Sequence, residues 1–503
     1  MAAFRLSTQK LLLNQKSRIF YHCTTLSPRN KLLDGSSPQH TDDVRKFWYC
    51  GLKPVRFLSE SALYVNRSVE SRTPAVNVAL NLAEKLQNLD ELKSNVAVRN
   101  IEKMDIEELV EDYKWLMKLK LNKKKLEEER KNIASMMAAL SKVKETEDVK
   151  RSKELLKSRG KSLRQLLKTL NADFNILEET VIMRSLKLPN VLHRDTPSDE
   201  VKILQETVLE KDLADFAQVN HVVAGEQYNW IKFSNIGPGA YFLLGPLAWS
   251  ERHFINHFSE NLIQNGFQMM VCPEIFKAVV VEGCGVDITD TGKIYTLENN
   301  EETMKIEHIC HFIGVSPMSF AAFWTRMTVD CEATPQTYFT IGKCYHPVVS
   351  SCANMGLYNT SQTTKCEVCS VCHDDTMADN QFQQFLTMIW NFYSDLNLPV
   401  RLLLLPASQL HVSESKKAII EMWAPSQQQY LTVASVYLTG TYIGERLMIS
   451  SSSTQDKVAH MVHADLLDVS RMLAFLIEHG KIGENELLQL PRLKLDAIPE
   501  LIP

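Results

Sequence analysis

A helical N-terminal domain carrying a long antiparallel coiled-coil arm, followed by a larger α+β domain, is the architecture this chain predicts. The arm and the division into domains follow from three observations, and the α+β class from the motifs of residues 200–503. At 503 residues the chain is longer than one ordinary core organises, so two or three domains are expected. Its 45% hydrophobic and 23% charged content is that of a folded soluble protein, and no apolar run reaches the length of a membrane span. Finally, leucine-type residues recur seven apart in two consecutive runs, Leu119, Leu126, Ile133 and Leu140, then Leu156, Leu163, Leu170 and Leu177.

The chain opens without an acidic residue before Asp34, while Arg5, Lys10, Lys16, Arg18, Arg29 and Lys31 are mixed with Leu, Ser, Thr and Phe. This basic, amphipathic opening resembles a mitochondrial transit peptide over residues 1–35. The alternative is a basic tail on a cytosolic protein. The stretch from Val44 to Arg72 has no clear periodicity, and no internal repeat is evident.

The two heptad runs are separated by Glu145, Thr146, Glu147 and Asp148, so they read as two antiparallel helices joined at a polar break. Met136 or Met137, Leu166 or Leu167, and Phe174 fall near the intervening seam positions. Each helix of about thirty residues would extend roughly 45 Å. The arm covers about residues 110–182 within a helical domain of residues 36–195. Between Lys114 and Leu170 there are 18 Lys/Arg against 7 Asp/Glu, which leaves 38 of the 56 basic and 53 of the 60 acidic residues elsewhere. A protruding rod with that surplus attracts phosphates, because releasing their counterions drives binding without base reading. The cations concerned are Lys118, Lys120, Lys123, Lys124, Lys125, Arg130, Lys131, Lys150, Arg151, Lys153, Lys157, Arg159, Lys161, Arg164 and Lys168. A solvated coiled-coil surface is the rival reading, but that reading calls for balanced charge.

Motifs in residues 200–503 define the second domain. Tyr241-Phe242-Leu243-Leu244-Gly245 is followed by Glu251-Arg252, then Gly266-Phe267, with Pro273 seven residues after the glycine. Leu188-Pro189-Asn190-Val191 precedes them; Glu421-Met422-Trp423-Ala424-Pro425 and Gly444-Glu445-Arg446-Leu447 follow. In order and spacing these resemble the core of the seryl-tRNA synthetase family. The resemblance implies a class II core, a mainly antiparallel sheet flanked by helices. It also implies that the arm grips RNA and that the surface around Leu262 to Pro273 forms a two-fold dimer.

The resemblance fails where the chemistry should be. Forming an aminoacyl-adenylate requires cations that neutralise the triphosphate and a polar pocket for the amino acid. The family's Phe-Arg-x-Glu run corresponds to Tyr345-His346-Pro347-Val348, so His346 replaces the arginine and Val348 the glutamate. Asn359 stands where the second arginine would be, whereas Gln362, Lys365 and Glu367 still match the returning strand. Thr-x-Glu of the serine pocket becomes Val315-Ser316-Pro317, with Val315 and Pro317 at the substituted positions. Ala407-Ser408-Gln409 and His463-Ala464-Asp465 replace two further pocket stretches, and Ser435-Val436-Tyr437-Leu438 replaces the start of the third motif. Arg446 and Glu421 remain at positions the resemblance links to nucleotide, and are read either as a residual site or as an ion pair with each other. Losing one charged transition-state contact typically costs about 2.7–4 kcal/mol, so no aminoacylation activity and no cofactor are expected.

Cys366-x-x-Cys369-x-x-Cys372-His373 has the donors of a zinc or iron–sulfur site. The resemblance places it on a strand, where residues three apart point to opposite faces, so inert buried thiols are the preferred reading. The expectation is therefore a non-catalytic mitochondrial matrix protein that binds RNA and pairs with itself or with mitochondrial seryl-tRNA synthetase. Two rival readings are an adenylate-forming enzyme with a changed substrate and a metal or redox sensor on the cysteine run.

Overall fold

The computed structural model describes residues 61–64, 76, 78–101, 104–142, 144, 146–207, 213, 219–234, 239–290, 292–297, 306–347, 355–452, 458–482 and 488–489. The targeting segment expected at residues 1–35 lies outside them. Helix α1 (Leu89–Val98) leads into the arm, built from α2 (Ile106–Leu140) and α3 (Glu147–Leu186). Asp105 caps α2 by accepting the Glu108 N–H at 2.9 Å, and Thr146 caps α3 through Val149 N–H. Thr146 therefore ends the turn, and Glu147 and Asp148 fall in the first turn of α3, where the helix dipole favours acids.

At 35 and 40 residues the helices exceed the expected thirty, reaching about 52 and 60 Å. Both continue past the seam into the arm's root. Leu119, Leu163, Leu170, Phe174 and Leu177 are buried in the seam, while Leu126, Ile133, Leu140 and Leu156 nearer the tip are half-buried. Of the alternatives left open by the spacing, Leu167 is buried and Met137 half-buried, while Met136 and Leu166 face solvent.

The larger domain is built on one eight-stranded sheet. Its elements are β1 (Lys202–Glu206), α4 (Gly245–Gln264), β2 (Gln268–Met269), α5 (Ala278–Gly283), α6 (Pro317–Trp324), β3 (Gln336–Tyr345), β4 (Gln362–Cys372) and α7 (Asp375–Ser394), then β5 (Val400–Leu404), β6 (Lys416–Ala424), β7 (Gln429–Gly440), α8 (Tyr442–Leu447), β8 (His460–Asp468) and α9 (Val469–Glu478). Strand order is β1-β5-β6-β7-β8-β4-β3-β2. Every pairing is antiparallel except β2 with β3 at the edge. This is the α+β sheet expected from the motifs.

Both sheet faces are covered, and strand alternation assigns the side chains. From β4, Cys366, Val368 and Cys372 join α4, α7 and α9 in one core. Cys369 and Val371 point the other way, into a second core with α5, α6 and α8. Two glycines at positive φ shape the chain beside the sheet. Gly266, at φ +84°, turns α4 into β2, and Gly314, at φ +75°, lies so near β3 that a Cβ would sit 2.0 Å from the Lys343 carbonyl oxygen.

The segment after α3 is clamped to the sheet. Asn190 donates from Nδ2 to the Ser413 and Thr439 carbonyls at 2.9 and 2.8 Å. Arg99, just after α1, donates to the Glu414 and His411 carbonyls at 2.6 and 2.9 Å. These buried bonds satisfy carbonyls of β7 and of the loop before β6, and tie the arm's root to the core.

Candidate functional site

His346 follows the end of β3, its N–H donating to the Ser361 carbonyl at 3.1 Å. Burial pushes its imidazole below the ordinary histidine range, and the neighbouring Lys365 and Arg471 charges act in the same direction. At neutral pH it is uncharged, so the position of a phosphate-clamping arginine holds no cation. Val348 lies outside the described residues. Asn359 follows the turn at residues 355–358, and its N–H donates to the Gly356 carbonyl at 3.3 Å.

The cations that are present hold partners inside the protein. Lys343 Nζ on β3 is 2.7 Å from Glu251 Oε1 and donates to Thr364 Oγ1 at 2.7 Å. Lys365 Nζ on β4 is 2.7 Å from Asp465 Oδ2 on β8. Burial opposes the Lys365 charge, but Asp465, with Cys344, Asp468 and Glu367 around it, outweighs that effect and holds the ammonium above the usual lysine range. Arg471 donates to the Thr432 and Tyr358 carbonyls at 2.7 and 3.2 Å.

Arg446 and Glu421 are not brought together, and the ion pair considered between them is corrected. Glu421 on β6 pairs instead with Arg401 on β5 at 2.6 Å. Arg446 lies on helix α8, not on a strand, and is 2% exposed. Its guanidinium donates to the carbonyls of Tyr442 at 3.1 Å, Leu186 at 3.3 Å and Leu188 at 3.4 Å, and stacks 3.4 Å over the Tyr442 ring. Leu186 ends α3, so this arginine caps the arm's root. Beside it Glu445 pairs with Lys85 and its carbonyl accepts from Ala79 N–H. The sequence carried no signal for this clamp, because the Leu186 and Leu188 carbonyls lie 260 and 258 residues from Arg446 in the chain.

The pocket positions have become apolar or self-contained. Val315 is buried, its N–H donating to the Lys343 carbonyl at 2.9 Å, and Pro317 begins α6. His463 is buried and stacks on Tyr437 with ring centroids 5.2 Å apart. Burial pushes its imidazole down to about 3. On the same face of the sheet, across from Asp465 on β8, burial and the Asp465 charge push Glu367 up to about 8.

That shift predicts a pH dependence. Glu367 takes up its proton at higher pH in the fold than in the unfolded chain, so its contribution is complete below the ordinary glutamate range. It is lost as pH rises from there towards 8. Glu367→Gln should therefore raise the melting temperature at pH 8, leave it nearly unchanged at pH 4.5, and flatten the profile between. Scanning calorimetry across that range checks it.

The comparisons with known proteins match this geometry. The family model "tRNA synthetase class II core domain (G, H, P, S and T)" matches residues 313–480. The chain is 27% identical over 365 residues to the serine–tRNA synthetase-like protein Slimp of Drosophila melanogaster, covering 68% of this chain and 76% of that protein. It is 25% identical over 397 residues to mouse mitochondrial serine–tRNA ligase, covering 76% of each. The crystal structure of Pyrococcus horikoshii seryl-tRNA synthetase complexed with ATP superposes with a TM-score of 0.71 at 18% identity, over 82% of this chain and 96% of that one. By its core and by these relatives the chain is similar to class II seryl-tRNA synthetases.

The stretch from Gly245 to Met269 forms α4 and the edge strand β2. Leu262 turns into the core, while Ile263, Met269 and Val271 face outward, Val271 with 89% of its surface exposed. The cysteine run does not converge on one point: Cys366 and Cys372 lie in one core and Cys369 in the other. Burial raises all three thiols, so they stay protonated. His373 is occupied by Thr334 Oγ1 at 2.8 Å and Asp374 Oδ2 at 3.2 Å. The metal candidate on that run is therefore corrected to three separate packing cysteines.

On the arm, Lys157, Lys161, Arg164 and Lys168 share the outer face of α3, with Lys150 and Lys153 continuing the stripe towards the tip. Arg159 is held by Glu129 at 2.7 Å across the hairpin, and Lys123 sits 4.8 Å over the Phe174 ring. Lys118, Lys120, Lys124, Lys125, Arg130, Lys131 and Arg151 are exposed.

Proposed function

We propose that this chain is a non-catalytic mitochondrial protein that binds RNA through its arm and pairs with itself or with mitochondrial seryl-tRNA synthetase. The observation that carries this reading is the use of the cations at the former triphosphate face. Lys343, Lys365, Arg446 and Arg471 each hold an internal partner, and His346 is neutral. A triphosphate entering there would have to displace those partners before gaining any charge neutralisation, so adenylate chemistry loses its main electrostatic support. The mitochondrial serine–tRNA ligases among its relatives support the compartment, as does the basic opening of the chain. The outward-facing Ile263, Met269 and Val271 support pairing, since a self-complementary patch shared by paralogues can form either dimer.

The test is pyrophosphate exchange with serine, magnesium and ATP, alongside mass measurement of the protein purified from mitochondria. We expect no exchange above background and a dimeric mass. Formation of seryl-adenylate would overturn the catalytic half of the reading. A monomer carrying no second subunit would overturn the pairing half.

A further inference from the structure

We infer that the outer face of α2 between Lys114 and Lys125 is a docking surface for an anionic phospholipid bilayer. Lys114, Met117, Lys118, Leu121, Lys124 and Lys125 recur at the spacing that aligns one side of a helix, and all six are exposed. Trp115 flanks them at 41% exposure, with Lys118 Nζ 6.0 Å from its ring, and Leu121 at the centre is 54% exposed. The opposite side of the same turns is the buried seam of Leu116 and Leu119. From Tyr113 to Leu126 there are six lysines and no acidic residue.

The apolar members distinguish this face from a phosphate-binding one. Attraction to a phosphodiester backbone needs only cations and would leave Met117 and Leu121 in water. At a bilayer the lysines meet headgroup phosphates while the leucine and methionine enter the interface. The polybasic run supplies charge complementarity to anionic lipid, with each lysine near the surface worth about a fivefold change in partitioning. The Lys157, Lys161, Arg164 and Lys168 stripe on α3 points away from its own side of the seam, so it lies on the opposite side of the hairpin from this face. Lys118, Lys124 and Lys125, counted among the arm's phosphate-attracting cations, are assigned here to lipid headgroups.

The test is co-flotation of the full chain, free of RNA, with phosphatidylcholine vesicles and with vesicles that also contain phosphatidylglycerol. We expect capture by the anionic vesicles and none by phosphatidylcholine alone. Met117→Gln with Leu121→Gln should weaken capture about tenfold while leaving RNA affinity unchanged, and Lys124→Gln with Lys125→Gln should weaken it further still. Leu121→Ser alone serves as a second variant should the double substitution disturb folding. Absence of flotation at low salt overturns the inference. So does capture indifferent to the apolar substitutions, or loss of RNA binding in their place, which would assign the face to nucleic acid.

Discussion

Reversing the α3 stripe, with Lys157→Glu, Lys161→Glu, Arg164→Glu and Lys168→Glu together, is expected to reduce affinity for a structured RNA by at least ~100-fold at low salt. The four side chains are exposed and follow one another at helical spacing on the side away from the seam, so the helix should persist. If each contacts one phosphate, the slope of log affinity against log salt should become shallower by about 3 to 4. Fluorescence anisotropy over a salt titration reads both quantities, and circular dichroism checks the arm. An unchanged slope would remove the stripe from the RNA interface.

Arg446→Ala should produce the largest loss of stability of any single substitution discussed. It would remove the side-chain donor to the Tyr442, Leu186 and Leu188 carbonyls, empty the space over the Tyr442 ring, and remove the positive charge beside Glu282 and Glu445. Removing one member of a buried charged network typically costs about 3–5 kcal/mol. Chemical denaturation should show a loss of that order, with increased protease sensitivity at the arm's root. A nucleotide-contacting arginine behaves differently: its removal would spare the apo protein and abolish stabilisation by magnesium and ATP. Melting curves with and without nucleotide separate the two roles.

Much of the fold was legible because its signals are periodic or local. The seam of the arm follows from Leu119 to Leu177, the α4 to β2 corner from Gly266, and the opposed cysteines from the two-residue period of a strand. The details that depended on neighbours were less legible. The spacing could not choose between Met136 and Met137, or between Leu166 and Leu167, since both members of each pair lie near the seam. The start of α3 shifted because Thr146 offered a capping oxygen that admitted Glu147 and Asp148 to the helix.

What the sequence determined by itself was the family frame, the basic arm and the replacement of clamp residues such as His346, because residue identity at motif positions already specifies charge and polarity. Only the tertiary structure decided what the surviving charged residues do. Arg446 looked available to a nucleotide, yet it closes the root of the arm, and Glu421 answers to Arg401. A cation's role depends on which acceptors surround it, and those acceptors come from segments that become neighbours only when the chain folds.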